Sequence, residues 1–163
     1  LEAAPELDDV QFLIVGDGAE REVLEAQAAD LDNVTFTGRR PKEEVPYILR
    51  ESDVALVHLK PREIFATVIP SKLLESMAAG LPVILGVRGE AKRILMDADA
   101  GIAIEPDNNE ELVSAIRQLR DDSEERQAFA ASGREYVNAY FDWDSISEEY
   151  LETITERGDR FDE

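Results

Sequence analysis

Short apolar runs alternate with longer segments of helical periodicity through the first two thirds of the chain. Gln11 to Val15, Val34 to Thr37, Val54 to His58, Pro82 to Leu85 and Gly101 to Ile104 read as strands, each bounded by glycine, proline or acidic residues. Helices are expected between them: about Ala19 to Ala29 with Val23 and Leu24 on its buried side, a segment to about Arg50 bent or delayed by Pro46, and about Glu90 to Met96. The run of Val, Ala, Leu and Val in Val54 to His58 predicts a strand buried on both faces. Residues 1–9 read as the end of a helix and a turn, so the chain is expected to begin in mid-fold.

Strands separated by helical segments imply parallel strand–helix–strand units, and hence an α/β fold of the Rossmann-like, doubly wound kind with five strands visible. From Asn109 the pattern is helical. Leu112, Val113, Ile116 and Leu119 form one apolar stripe, Phe129, Gly133, Val137 and Tyr140 a second, and Trp143, Ile146, Tyr150 and Ile154 a third. Asp121, Asp122 and Ser123 break the first helix from the next, and residues 157–163 read as a frayed polar tail. These helices are expected to pack on the sheet without chemistry of their own, and residues 1–163 form one domain.

The stretch that carries chemistry is Phe65 to Ile84. Pro70 suits the entry to a short helix, Ser71 its N-cap, and Gly80 its stop, with Pro82 opening the next strand. A helix N-terminus presents unpaired N–H groups and a partial positive charge, so it attracts phosphate. Lys72 would add a full charge there, and Glu75, one turn on, could accept hydrogen bonds from ribose hydroxyls. In doubly wound sheets ligands sit at the carboxyl ends of the strands. The loops meeting there would be Gly16 to Ala19, Gly38 to Pro41, His58 to Ser71 and Gly86 to Glu90. Gly16-Asp17-Gly18 could approach a phosphate, although a tight turn alone also asks for glycine.

Charge sharpens this picture. The 163 residues carry a net charge of −20, which argues against nucleic acid or an anionic membrane surface as a direct partner. Residues 1–38, 39–93 and 94–163 carry −9, +3 and −14, so the one positive segment surrounds the expected phosphate site. No cysteine is present, which excludes disulfides and thiolate chemistry and fits a reducing, cytoplasmic setting. No apolar run approaches the roughly 18 residues of a membrane span, and the acidic N-terminus is not that of a signal peptide. The single histidine, His58, has no second histidine or carboxylate spaced for a metal site or a triad.

The run from Pro70 to Val83 resembles the nucleotide-sugar motif of retaining family 4 glycosyltransferases of the GT-B fold. It is most similar to the branch writing Pro-Ser-Lys ahead of the glutamate, found among enzymes of surface-polysaccharide biosynthesis. Val15-Gly16-Asp17-Gly18, Asn33 to Arg39, Ser52-Asp53-Val54, Gly101-Ile102 and Phe141-Asp142-Trp143 fall in that family's order. The resemblance implies the C-terminal, donor-binding domain of a two-domain enzyme, cut inside its first helix. The domain's first strand and the N-terminal acceptor-binding domain would lie before Leu1.

It further implies a UDP- or GDP-sugar as substrate, UDP favoured, a glycan or lipid-linked acceptor, and neither cofactor nor metal. Pro70, Ser71, Lys72 and Leu73 would take the diphosphate, Glu75 the ribose, and Gly16, Gly38 and the main chain of Arg39 the rest of the nucleotide. The family's first motif glutamate falls at Thr67 here, a departure that leaves Glu63, His58 and Thr67 as candidate sugar contacts. No catalytic side chain is singled out. Rival readings are a sugar-nucleotide 2-epimerase of the same fold, which should show richer acid–base chemistry than His58, and a non-catalytic nucleotide sensor or adaptor. A dinucleotide dehydrogenase would need a third glycine that Gly16 to Arg21 lacks.

Overall fold

Parallel strands need a crossover between them, and the alternation of elements meets that need. In the computed structural model, which describes residues 1–141, five strands and six α-helices follow one another. They are β1 (Phe12–Val15), α1 (Arg21–Gln27), β2 (Val34–Gly38), α2 (Val45–Arg50), β3 (Ala55–His58), α3 (Ser71–Ala79), β4 (Val83–Gly86), α4 (Glu90–Asp97), β5 (Gly101–Ala103), α5 (Asn109–Asp121) and α6 (Ser123–Tyr140). One-turn 3-10 segments stand at Ala4–Glu6 and Glu63–Thr67. The third apolar stripe expected beyond α6 and the polar tail lie outside the described residues.

All pairings are parallel, but the five strands form two hydrogen-bonded sets, β1-β2 and β3-β4-β5, rather than one continuous sheet. β4 is the centre of the larger set, and all four of its residues are buried. Alternation sends Val83 and Leu85 to a core shared with Leu73 and Met77 of α3, Ile94 and Leu95 of α4 and Val137 of α6. Ile84 points the other way, onto Ala115 and Leu119 of α5. Helices thus cover both faces, as the doubly wound reading requires.

Helix ends follow elementary rules at the two longest helices and at Gly80, whereas α1, α2, α3 and α4 start without a side-chain cap. Gly80 closes α3 in the left-handed conformation at φ 77°, and Asn108 and Asp122 cap α5 and α6 by accepting from the N–H groups of Glu111 and Glu125. Pro46 sits in the first turn of α2, which therefore begins late and is not bent. Ser71, expected as the cap of α3, is instead its first helical residue. Pro70, with extended backbone at φ −65° and ψ 127°, holds the cap position, and no side chain caps this end.

Burial departs from the expected pattern at three places. Val23 is exposed, because no neighbouring element packs broadly on α1 among the described residues. β3 is not buried on both faces: Val57 is, but Leu56 is 45% exposed. In α6 the stripe ends at Val137, while Tyr140 is exposed and its ring lies tilted against that of Tyr136 instead. Among the described residues no helix is long and apolar enough to cross a membrane.

Candidate functional site

Leu73 seats α3. Its side chain is fully buried against the β4 core, and its N–H donates to the Pro70 carbonyl at 2.9 Å, closing the first turn. Leu73 therefore presents no exposed side chain, and its N–H is engaged within the first turn. Pro70 is itself buried and has no N–H to give. That leaves the N–H groups of Ser71 and Lys72 as the open donors of the first turn, with no intrahelical partner by geometry and no capping side chain. Ser71, Lys72 and Glu75 are all exposed. The ion pairs among the described residues involve neither Lys72 nor Glu75, so a cation and an acceptor are presented one turn apart.

The loops at the strand ends are stitched together. Gly16 donates its N–H to the Gly38 carbonyl at 3.0 Å, which joins the ends of β1 and β2. Over Gly38 lies the guanidinium of Arg21, hydrogen-bonded to Glu25 at 2.8 Å and 3.9 Å from Asp17. The Glu25 carboxylate first, and Asp17 after it, hold that guanidinium firmly charged. Arg39 is exposed just beyond.

His58 ends β3 with its ring laid on Gly86, at the end of β4, where any side chain would strike it. Its Nε2 accepts the backbone N–H of Asp107 at 3.0 Å, and so ties the loops after β3, β4 and β5. A lone pair engaged this way is structural. Gly89, at φ 75°, lets the backbone at Ala66 pass directly over the start of α4, because a Cβ there would meet the Ala66 carbonyl.

Thr67 is likewise spent locally, its hydroxyl donating to the Ile64 carbonyl at 3.1 Å inside the 3-10 segment. Glu63 is exposed and lines a pocket of about 180 Å³ together with Leu59, Lys60, Arg62, Phe65 and Arg88. Two of its three cations are already neutralised: Arg88 meets Glu105 at 2.8 Å and Lys60 meets Glu20 at 3.4 Å. Ser71, Lys72 and Glu75 do not line this pocket, so the expected donor residues are not enclosed in one cavity. Sequence reasoning placed basic residues on these loops without singling out Lys60, Arg62 or Arg88. The clustering of cations after a buried strand was the available signal.

The profile of the family described as glycosyl transferases group 1 matches residues 1–136. A GDP-mannose-dependent alpha-(1-6)-phosphatidylinositol monomannoside mannosyltransferase of Mycobacterium tuberculosis is 30% identical over 158 residues, covering 94% of this chain and 40% of that protein. A GDP-mannose-dependent monoacylated alpha-(1-6)-phosphatidylinositol monomannoside mannosyltransferase of Corynebacterium glutamicum is 32% identical, over 86% of this chain and 37% of that protein.

Among solved structures, Anabaena Alr3699/HepE in complex with UDP superimposes with a TM-score of 0.80 at 21% identity, over 95% of this chain and 44% of that one, which shows the shared fold. The chain thus spans well under half the length of these relatives. With the profile matched along most of its length and these folds superimposed on its own, the chain belongs to the glycosyl transferases group 1 family.

Proposed function

We propose that this chain is the donor-binding, C-terminal part of a retaining glycosyltransferase, in which α3 receives the diphosphate of a nucleotide sugar at its N-terminus. The observation that carries the reading is the uncapped, exposed start of α3, with Lys72 and Glu75 on the same helix and their side chains unpaired among the described residues. The open N–H groups of Ser71 and Lys72 and the Lys72 ammonium would offset charge that grows on the diphosphate as it leaves, while Glu75 accepts from the ribose. Gly16, Gly38 and the Arg39 backbone would border the nucleoside. The acceptor, a glycan or lipid-linked sugar, would be held by the rest of the enzyme on the cytoplasmic side.

The sequence reading favours a UDP-sugar, whereas the relatives of 30–32% identity are GDP-mannose-dependent by name. Their higher identity, set beside 21% for the UDP-bound structure, inclines the proposal toward a GDP-sugar. Calorimetric titration of the full-length protein with GDP, UDP and GDP-mannose tests it. Glu75→Ala should cost about 1.5 to 3 kcal/mol, roughly ten- to a hundredfold in affinity, and Glu63→Ala far less. Absence of binding by all three at millimolar concentration, or equal small losses from both variants, would overturn the assignment.

A further inference from the structure

A protein of net charge −20 can hold an anion only where cations are gathered against the general field. The pocket of about 180 Å³ at the carboxyl ends of β3, β4 and β5 gathers them: Lys60, Arg62 and Arg88 stand on its wall against one carboxylate, Glu63. The donor assignment leaves this pocket unused, since Ser71, Lys72 and Glu75 do not line it. The rest of the wall is apolar, formed by Leu59, Pro61, Phe65, Ala66, Val87 and Pro106. An apolar cleft with a few convergent charges is the common form of a small-molecule site.

Backbone contacts set the walls. Leu59 donates its N–H to the Gly86 carbonyl at 3.2 Å, Phe65 donates to the Arg62 carbonyl at 2.9 Å, and Gly89 lets the Ala66 backbone lie against the start of α4. The three cations differ in commitment. Arg88 meets Glu105 at 2.8 Å, and that carboxylate is shared with Lys92 at 3.9 Å, while Lys60 meets Glu20 at 3.4 Å. Among the described residues Arg62 has no carboxylate partner, in a chain with 37 acidic side chains.

We infer that this pocket holds one pyranose ring bearing a carboxylate, a hexuronic acid unit of the transferred sugar or of the accepting glycan, and that Arg62 recognises the carboxylate. The inference adds a substrate class to the proposed transfer, and rests on that reading for the role of the bound sugar. An apolar cavity of about 150 Å³ takes one benzene ring, so the volume here suits one six-membered ring and is too small for two. The planar guanidinium of Arg62 matches the two oxygens of a carboxylate. A neutral sugar would cover the apolar wall and leave Arg62 unanswered, whereas a bare phosphate would answer Arg62 and leave the wall to water. A dianionic sugar phosphate would bring a second charge against Glu63. The Arg88 and Lys60 pairs are exposed and weak, so both cations still add attraction from the rim.

Ligand-observed NMR titration of the full-length protein tests this, with the methyl glycosides of glucuronate, galacturonate and mannuronate beside those of glucose, galactose and mannose. At least one uronoside should bind about tenfold or more tightly than its neutral counterpart, the effect of one charge-assisted pair. Arg62→Gln should remove that preference and leave neutral hexosides, GDP and UDP within about twofold. Arg62→Lys should restore it in part, and Arg88→Gln should cost less than Arg62→Gln, because Arg88 is already shared with Glu105. UDP-glucuronate against UDP-glucose and GDP-mannuronate against GDP-mannose separate the two sources. An Arg62→Gln loss that extends to the nucleotide-linked uronates places the ring in the transferred sugar, and a loss confined to the methyl uronosides places it in the acceptor.

Uronosides and hexosides binding alike, no uronoside binding at millimolar concentration, or a preference that survives Arg62→Gln would each overturn the inference. So would inorganic phosphate or acetate binding as tightly as the best uronoside, since the pocket would then take charge alone and the ring would add nothing. Nucleotide binding without a uronoside preference would overturn this inference and leave the donor assignment standing. A uronoside preference lost in Arg62→Gln, with no response to GDP or UDP, would overturn the donor assignment and leave this one. The comparison of uronoside with hexoside uses the unsubstituted protein and stands even if a variant fails to fold.

Discussion

β4 and β1 are tetrapeptides of nearly equal hydrophobicity, Val-Ile-Leu-Gly and Phe-Leu-Ile-Val, yet every residue of the first is buried and none of the second is. The difference lies in their neighbours. β4 is bonded on both edges, and carries α3, α4 and α6 on one face and α5 on the other. β1 has one bonded edge and touches α5 only through its amino end, at Phe12. Apolar content therefore states what a strand is suited to, and burial depends on which elements are present to complete it. The same contrast orders the site: loops after β3, β4 and β5 are tied through His58, Gly86 and Asp107, whereas the β1 side meets them through one exposed ion pair.

The largest effect that would test this contrast is in the core. Leu85→Ala, at a fully buried position, should destabilise by about 2 to 5 kcal/mol, and Leu13→Ala in β1 by less than about 1 kcal/mol, measured by urea unfolding of the 163-residue chain. Equal losses would show that β1 is as well covered as β4. Next comes Asn33, which is buried and donates through Nδ2 to the carbonyls of Ala4, Leu7 and Val10 at 3.0, 2.9 and 3.1 Å. It is the one polar tie of the segment before β1 to the start of β2. Asn33→Ala should cost about 1 to 3 kcal/mol, because these carbonyls lose their donor. A loss below that range would mean that water or the apolar contacts of Leu7 suffice.

The alternation of apolar runs made the α/β class and all five strands legible, and Gly80 after Ala79 marked the end of α3. What the sequence could not show were relations set across the fold. His58 appeared as an isolated histidine because its partner, the Asp107 N–H, lies 49 residues away. Val54 to His58 looked buried on both faces because its composition suits a neighbour on each side, and one side is open here. Ser71 looked like the cap of α3 because serine favours that position, but the extended backbone of Pro70 takes it one residue earlier. At the site, Ser71, Lys72 and Glu75 were found from local helix chemistry. The pocket cations Lys60, Arg62 and Arg88 gather only through loops whose mutual approach depends on positions such as Gly89.

The smallest effect concerns the ion pair at the site end of the two regions. Lys60 and Glu20 meet at 3.4 Å with side chains 65% and 70% exposed, so each keeps most of its hydration. An exposed pair of this kind contributes about 0 to 1 kcal/mol, and ordering two long side chains offsets much of the attraction. Glu20→Gln should therefore move the urea midpoint by an amount equivalent to less than about 0.5 kcal/mol. Even that should vanish at high salt, since screening already acts over about 8 Å at physiological ionic strength. The attachment of β1 and β2 would then rest on the amino end of β1 against α5, where Leu7, Val10 and Phe12 remove apolar area from water beside the exposed Arg120–Asp9 pair at 3.0 Å. A loss above about 1 kcal/mol that disappears in salt would reverse this, making the site end of the molecule the place where its two sheets are joined.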